Sequence, residues 1–126
     1  MTIRLNDYTE ISFEPKDFED NLGSLCFHTE LEIQSRDLRL SFQLDFWIEF
    51  NAIDKFVIEL SKADETVLTS IDGDFCFRIR RDEFFIKFAR QNASQVPSKE
   101  FTFADNLTEI GLSDLREFFV KFPKWW

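Results

Sequence analysis

The chain has 126 residues, 44% hydrophobic and 17% aromatic, with 17 phenylalanines but three glycines and three prolines, which excludes a disordered, low-complexity or collagen-like chain. No apolar run approaches the roughly 20 residues of a membrane-crossing helix, and Arg4, Asp7 and Glu10 interrupt the opening residues where an export signal needs an apolar stretch. The formal charge is −9 and unevenly placed: residues 1–65 hold 15 acids and 6 bases and residues 66–126 nine of each, a field that repels nucleic-acid phosphate and attracts basic surfaces.

Period-2 alternation, the mark of half-buried strands, dominates the chain. Ile3 and Leu5, then Thr9, Ile11 and Phe13, predict strands near the N-terminus, followed by a surface loop over 14–21. Leu25, Phe27, Thr29, Leu31 and Ile33 point one way, and Cys26, His28, Glu30, Glu32 and Gln34 the other. Leu38, Leu40, Phe42, Leu44 and Phe46 then alternate with Arg39, Ser41, Gln43 and Asp45. A two-residue turn at Ser35-Arg36 sets Ile33 against Leu38, Leu31 against Leu40, Phe27 against Leu44 and Leu25 against Phe46, and pairs Glu32 with Arg39 on the other face.

Phe50, Ile53, Val57 and Leu60 switch to helical spacing, with Asn51 as the expected N-cap and Lys62 near the C-terminal end. Val67, Thr69 and Ile71 predict a strand leading into a three-residue loop, Asp72-Gly73-Asp74, where glycine takes the left-handed conformation. Phe75, Phe77 and Ile79 return, and a turn at Arg81-Asp82 leads to Phe84, Ile86 and Phe88, pairing Ile79 with Phe84, Phe77 with Ile86 and Phe75 with Phe88. After a loop over 91–99, Phe101 and Phe103 suggest one more strand. Leu115, Phe118, Phe119 and Phe122 recur at helical spacing, with Ser113 as the expected cap, Asp114 at the positive end and Pro123 as the stop.

Six to eight strands and two helices, with no strand–helix–strand rhythm, give an α+β class: a mostly antiparallel β-sheet with two helices packed on one face, over residues 1–126 as a single domain. The other face is then polar and carries His28, Glu30, Glu32, Arg39, Ser41, Gln43, Arg78, Arg80 and Lys87.

No catalytic set emerges. Cys26 and His28 share a strand face, so a nucleophile pair is conceivable, but no oxyanion-hole loop or orienting residue accompanies them. Cys26 and Cys76 are 50 residues apart with no metal-ligand spacing, and read as reduced thiols in a cytosol. Glycine is too scarce for a phosphate cradle, and no cofactor motif occurs. The basic run Arg78-Ile79-Arg80-Arg81 reads as neutralising nearby acids such as Glu30, Glu32 or Asp82 rather than gripping phosphate. The chain is therefore expected to be no enzyme, and to hold neither metal nor cofactor.

Partner-binding chemistry is richer. Glu14, Asp17, Glu19 and Asp20 surround Phe18, four carboxylates and an aromatic suited to gripping a basic surface, while the plain alternative is a solvated loop with Phe18 folded inward. Glu30 and Glu32 extend the acidic set. Trp125 and Trp126 offer either packing onto the closing helix or an exposed contact.

The order of elements carries a resemblance. A hairpin ends in Asp45-Phe46-Trp47, a helix contains Ile53-Asp54-Lys55-Phe56, and Leu68-Thr69-Ser70-Ile71-Asp72-Gly73 forms a turn pattern before the aromatic strand Asp74-Phe75-Cys76-Phe77-Arg78-Ile79. Glu100-Phe101-Thr102-Phe103 and a closing helix follow. Over about residues 22–122 this resembles small bacterial immunity proteins of polymorphic toxin systems, of the type that protects against wall-associated, contact-delivered tRNA nuclease toxins. The chain differs from that pattern in its short 91–99 loop, its phenylalanine content and its Trp-Trp terminus. The resemblance implies a cytoplasmic, non-enzymatic protein that neutralises one cognate, basic toxin domain, with no direct contact to nucleic acid or membrane. The competing expectation is a structural or scaffold interaction module, monomeric or homodimeric through a sheet edge or the tryptophan pair.

Overall fold

The computed structural model describes residues 2–92 and 95–122, with side chains described for 2–89 and 99–122. Eight strands and two helices follow one another as β1 (Thr2–Asn6), β2 (Thr9–Glu19), β3 (Ser24–Gln34), β4 (Arg39–Glu49), α1 (Phe50–Lys62), β5 (Glu65–Thr69), β6 (Phe75–Arg80), β7 (Glu83–Asn92), β8 (Gln95–Asn106) and α2 (Glu109–Lys121). The class is α+β with every pairing antiparallel, and the strands divide into two four-stranded sheets, β1-β2-β3-β4 and β5-β6-β7-β8.

One apolar cluster joins both sheets and both helices. Phe13 on β2 stands at its centre, with the rings of Phe27, Phe75, Phe77, Phe118 and Phe119 at centroid distances of 5.5 to 6.2 Å. Phe46 stacks on Phe75 at 4.2 Å and ties the first sheet to the second, while Phe56 of α1 touches Phe77 and Phe119. Such pairs add about 0.5–1.5 kcal/mol each beyond the area they bury, on top of the Ile and Leu side chains that fill the rest of the core.

Several boundaries differ from the sequence expectations. Residues 14–19 are not a loop: β2 continues through Pro15 because β1 covers only Thr9–Ser12, leaving an edge where proline's missing N–H costs nothing. The β3–β4 register is two residues wider than a tight turn gives, with Ile33 opposite Leu40, Leu31 opposite Phe42, Phe27 opposite Phe46 and Leu25 opposite Ile48. Glu32 therefore faces Ser41 rather than Arg39. Ser35 and Leu38 close a four-residue turn by mutual backbone bonds of 2.8 and 3.4 Å. The two-residue shift keeps every side chain on its expected face, so alternation cannot distinguish the two registers.

The β6–β7 register is the expected one, with Arg81 at φ 57° in its turn. The inward residues of β5 are Thr66 and Leu68, while Val67 and Ile71 are exposed. Ile71 has left the strand. The Ser70 hydroxyl accepts from Phe75 N–H at 2.9 Å and donates to Asp74 Oδ1 at 2.5 Å, closing a loop over Ile71–Asp74 with Gly73 at φ 73°. The expected 91–99 loop is largely strand, since Arg90 faces Lys99 and Asn92 faces Gln95.

Neither expected cap is used. α1 starts at Phe50, whose N–H donates to the Gly23 carbonyl at 2.8 Å, so an orphan donor is met by the β2–β3 turn instead of Asn51. α2 starts at Glu109, capped by Thr108, whose Oγ1 accepts from Gly111 N–H at 3.0 Å, five residues before Ser113. Trp125, Trp126 and Pro123 lie outside the described residues.

Candidate protein-binding face

The outward face of the first sheet follows from its registers. One cross-strand row holds Arg4, Glu10, Glu32 and Ser41; the next Thr2, Ser12, Glu30 and Gln43; the next Glu14, His28 and Asp45. At the bulge between Pro15 and Asp17 the extra residue is Lys16, after which Asp17, Cys26 and Trp47 form a fourth row, with Glu19 beyond it opposite Ser24. Side chains that are far apart in sequence thus share one surface. Glu10, Glu14, Asp17, Glu19, Glu30, Glu32 and Asp45 stand on it with Arg4, Lys16, His28 and Arg39.

Of the expected binding residues, Glu14, Asp17, Glu19, Glu30 and Glu32 are brought together here, although on strands rather than on a loop. Asp20 lies in the following turn, where its carbonyl accepts from Gly23 N–H at 3.2 Å. Phe18 pairs with Leu25, which places it on the opposite side of the sheet from the carboxylates, 47% exposed. It is therefore not the aromatic at the centre of the acidic set.

The aromatic on that face is Trp47, half-buried beside Cys26 at the β4 edge, in the same row as Asp17. Sequence reasoning missed it together with Asp45, yet a signal was present: both keep the odd-numbered phase of Arg39, Ser41 and Gln43. An aromatic in the polar phase of a strand is a side chain spent on the surface.

A charged network holds the middle of the face. His28 donates from Nδ1 to Asp45 Oδ1 at 2.5 Å and, when protonated, from Nε2 to Glu30 Oε1 at 3.2 Å. Lys16 Nζ reaches Asp45 Oδ2 at 3.0 Å, and Arg4 approaches Glu10 at 3.7 Å. The hydrogen bonds to Asp45 and Glu30 raise the His28 pKa above its usual 6.5. Those from His28 and Lys16 hold Asp45 below its usual carboxylate range. Burial pushes the Cys26 thiol up, away from the thiolate that a nucleophile requires.

The basic run 78–81 lies on the other sheet, away from Glu30 and Glu32. Arg78 sits over the Phe85 ring, 5.1 Å from its centroid, and Arg80 stands in register between Glu65 and Glu83. Among the described residues no group of three His, Cys, Asp or Glu is arranged to hold a metal. Between the helices and the second sheet, a space of about 200 Å³ is lined by Leu60, Thr66, Ile79, Leu112 and Arg116, small against the roughly 300–1,000 Å³ of ligand pockets. No helix among the described residues is long and apolar enough to cross a membrane.

Fold and face together define an α+β protein with a charged, mainly acidic surface on the outside of one antiparallel sheet. Compared with family models, with curated proteins and with solved structures, the chain matches none.

Proposed function

We propose that the chain is a non-enzymatic, cytoplasmic immunity protein that binds and neutralises a basic, nuclease-type bacterial toxin domain through the outer face of β1–β4. One observation carries this reading: residues 2–49, the strands of that sheet and the turns between them, hold 11 acids and 4 bases, a net −7 of the total −9. A nuclease must attract phosphate, so its own surface is basic, and a sheet of carboxylates steers toward that surface and covers it. Trp47 supplies an aromatic anchor within the acidic set.

The test is co-purification with the C-terminal domain encoded immediately upstream of this chain's gene, followed by stopped-flow association. The association rate is expected to fall about tenfold between about 50 and 500 mM salt, and about tenfold again for Glu30→Lys with Glu32→Lys, with dissociation changed far less. A complex whose association ignores both changes overturns the electrostatic mechanism. Failure to form a complex, with no rescue of cells expressing that domain, overturns the function.

A further inference from the structure

A cleft of about 790 Å³ separates β4, the edge strand of the first sheet, from β7 and β8 of the second. Phe42, Leu44, Phe88 and Phe101 make it apolar, with the Phe42 and Phe101 rings stacked 3.9 Å apart; His28, Asp45, Lys99 and Glu100 also line it, so its own charges nearly balance and the acidic excess lies on the outer face beside it.

The β4 backbone gives the cleft a direction. In an antiparallel strand the N–H and C=O of one residue point to the same side, and that side alternates along the chain. The Trp47 carbonyl accepts from Ile71 N–H at 2.8 Å, outside the β3 ladder, so Trp47 points away from β3. Asp45 and Gln43, two and four residues earlier, point the same way, toward the cleft they line. Facing residues that exchange no backbone bonds have closer side chains, and the 2.5 Å contact of His28 with Asp45 agrees with that phase. Strand-edge donors and acceptors beside an apolar surface are a template for an added strand.

The geometry points to an extended segment of a partner protein, alternating basic and apolar side chains, that adds as a strand to the β4 edge at Gln43 and Asp45. Its apolar side chains lie on Phe42, Leu44 and Phe101, and its basic ones beside Asp45 and Glu30. The period of two follows from the strand itself, whose successive side chains face the apolar side and the acidic outer side in turn. Charge selects the occupant: the outer face is acidic, so a second copy of this chain would bring two −9 molecules edge to edge. This inference rests on the reading of the chain as a binder of a basic protein domain, and it names the kind of segment recognised.

A capped hexapeptide of alternating lysine and valine is the probe, titrated into the full-length, isotope-labelled chain at about 50 and 300 mM salt and followed by amide NMR. The Gln43 and Asp45 amides are expected to shift and to exchange more slowly. Peptides N-methylated on the lysine or on the valine amides block opposite strand edges, and one is expected to bind about tenfold more weakly than the other. Gln43→Pro removes a cleft-facing N–H without touching the β3 ladder and is expected to weaken binding similarly; if it does not fold, exchange in the unaltered chain carries the test. Equal binding of the two methylated peptides, unmoved Gln43 and Asp45 amides, no binding at millimolar peptide, or self-association through β4 each overturn strand addition. Shifts confined to Glu10, Glu30 and Glu32 overturn it while leaving the acidic-face reading standing. Strand-type binding indifferent to salt supports the cleft and removes the charge-driven reading instead.

Discussion

His28 is the chain's single histidine, and its neighbours decide its charge. Because Asp45 and Glu30 raise its folded pKa, the stability it contributes is complete below its ordinary 6.5 and is lost as pH rises through the higher folded value. Asp45 behaves oppositely: its pKa is lowered, so its contribution is complete above its ordinary 3.8 and is lost as pH falls through the lower folded value. The pair is therefore strongest between those two ordinary values. Asp45→Asn should bring the His28 pKa back toward 6.5 in an NMR titration and reduce the decline in stability on the alkaline side, the Glu30 contact remaining; an unchanged His28 titration would refute the pairing. The gain in question is below about 1 kcal/mol, the range of solvent-exposed ion pairs.

Core hydroxyls are a second effect at this scale. Thr29 is fully buried opposite Phe13 and Leu44, and its Oγ1 has no hydrogen-bond partner among the described residues. Valine keeps the shape and removes the unsatisfied group, so Thr29→Val should raise urea-denaturation stability by about 1 kcal/mol. Alternation correctly placed Thr29 inward, because phase depends on position. Whether an inward hydroxyl finds a partner depends on neighbours from β2 and β4, which alternation along β3 does not encode.

At the scale of elements, phase was legible and register less so. The β6–β7 pairing followed from its sequence because a two-residue turn at Arg81-Asp82 admits only one in-phase alignment near it. For β3–β4 a two-residue slip conserves both faces, and only the turn chemistry at Ser35–Leu38 separates the alternatives. The start of α1 was missed for a related reason: its first N–H is met from Gly23, far away in sequence. The closeness of α2 to β1 was likewise invisible until folded. A Cβ at Gly111 would lie 2.6 Å from the Leu5 carbonyl oxygen and 2.8 Å from that of Arg4, both backbone atoms that cannot swing aside. Helix propensity favours alanine over glycine by about 1 kcal/mol, while overpacking costs about 1–3 kcal/mol. Because both neighbours are backbone, the clash should win: Gly111→Ala is expected to lower stability by up to about 2 kcal/mol in urea, and a stabilised variant would show that α2 does not rest on β1 this closely.

At the scale of the molecule, the candidate site was half legible. Six of the seven expected binding residues are carboxylates, and five of them share the outer face of one sheet because cross-strand pairing joins residues 10–19 to 24–32. Summed charge showed which part of the chain was acidic; pairing was needed to show that its charges converge. Convergence has a cost that separates a working surface from a merely solvated one. Glu10 and Glu32 stand directly opposite each other, and like charges facing across strands destabilise by about 0.2–1 kcal/mol. Glu32→Lys replaces that repulsion with attraction. It should stabilise the isolated chain by a comparable amount in low salt, with the gain shrinking as screening rises. The same substitution should slow association with a basic domain, since it reverses one charge in the field that steers it. Opposite signs for the two effects are what a surface shaped by binding predicts. If Glu32→Lys left association unchanged while stabilising the fold, the repulsion would serve no partner on this face, and the acidity of the sheet would have to be explained by solubility alone.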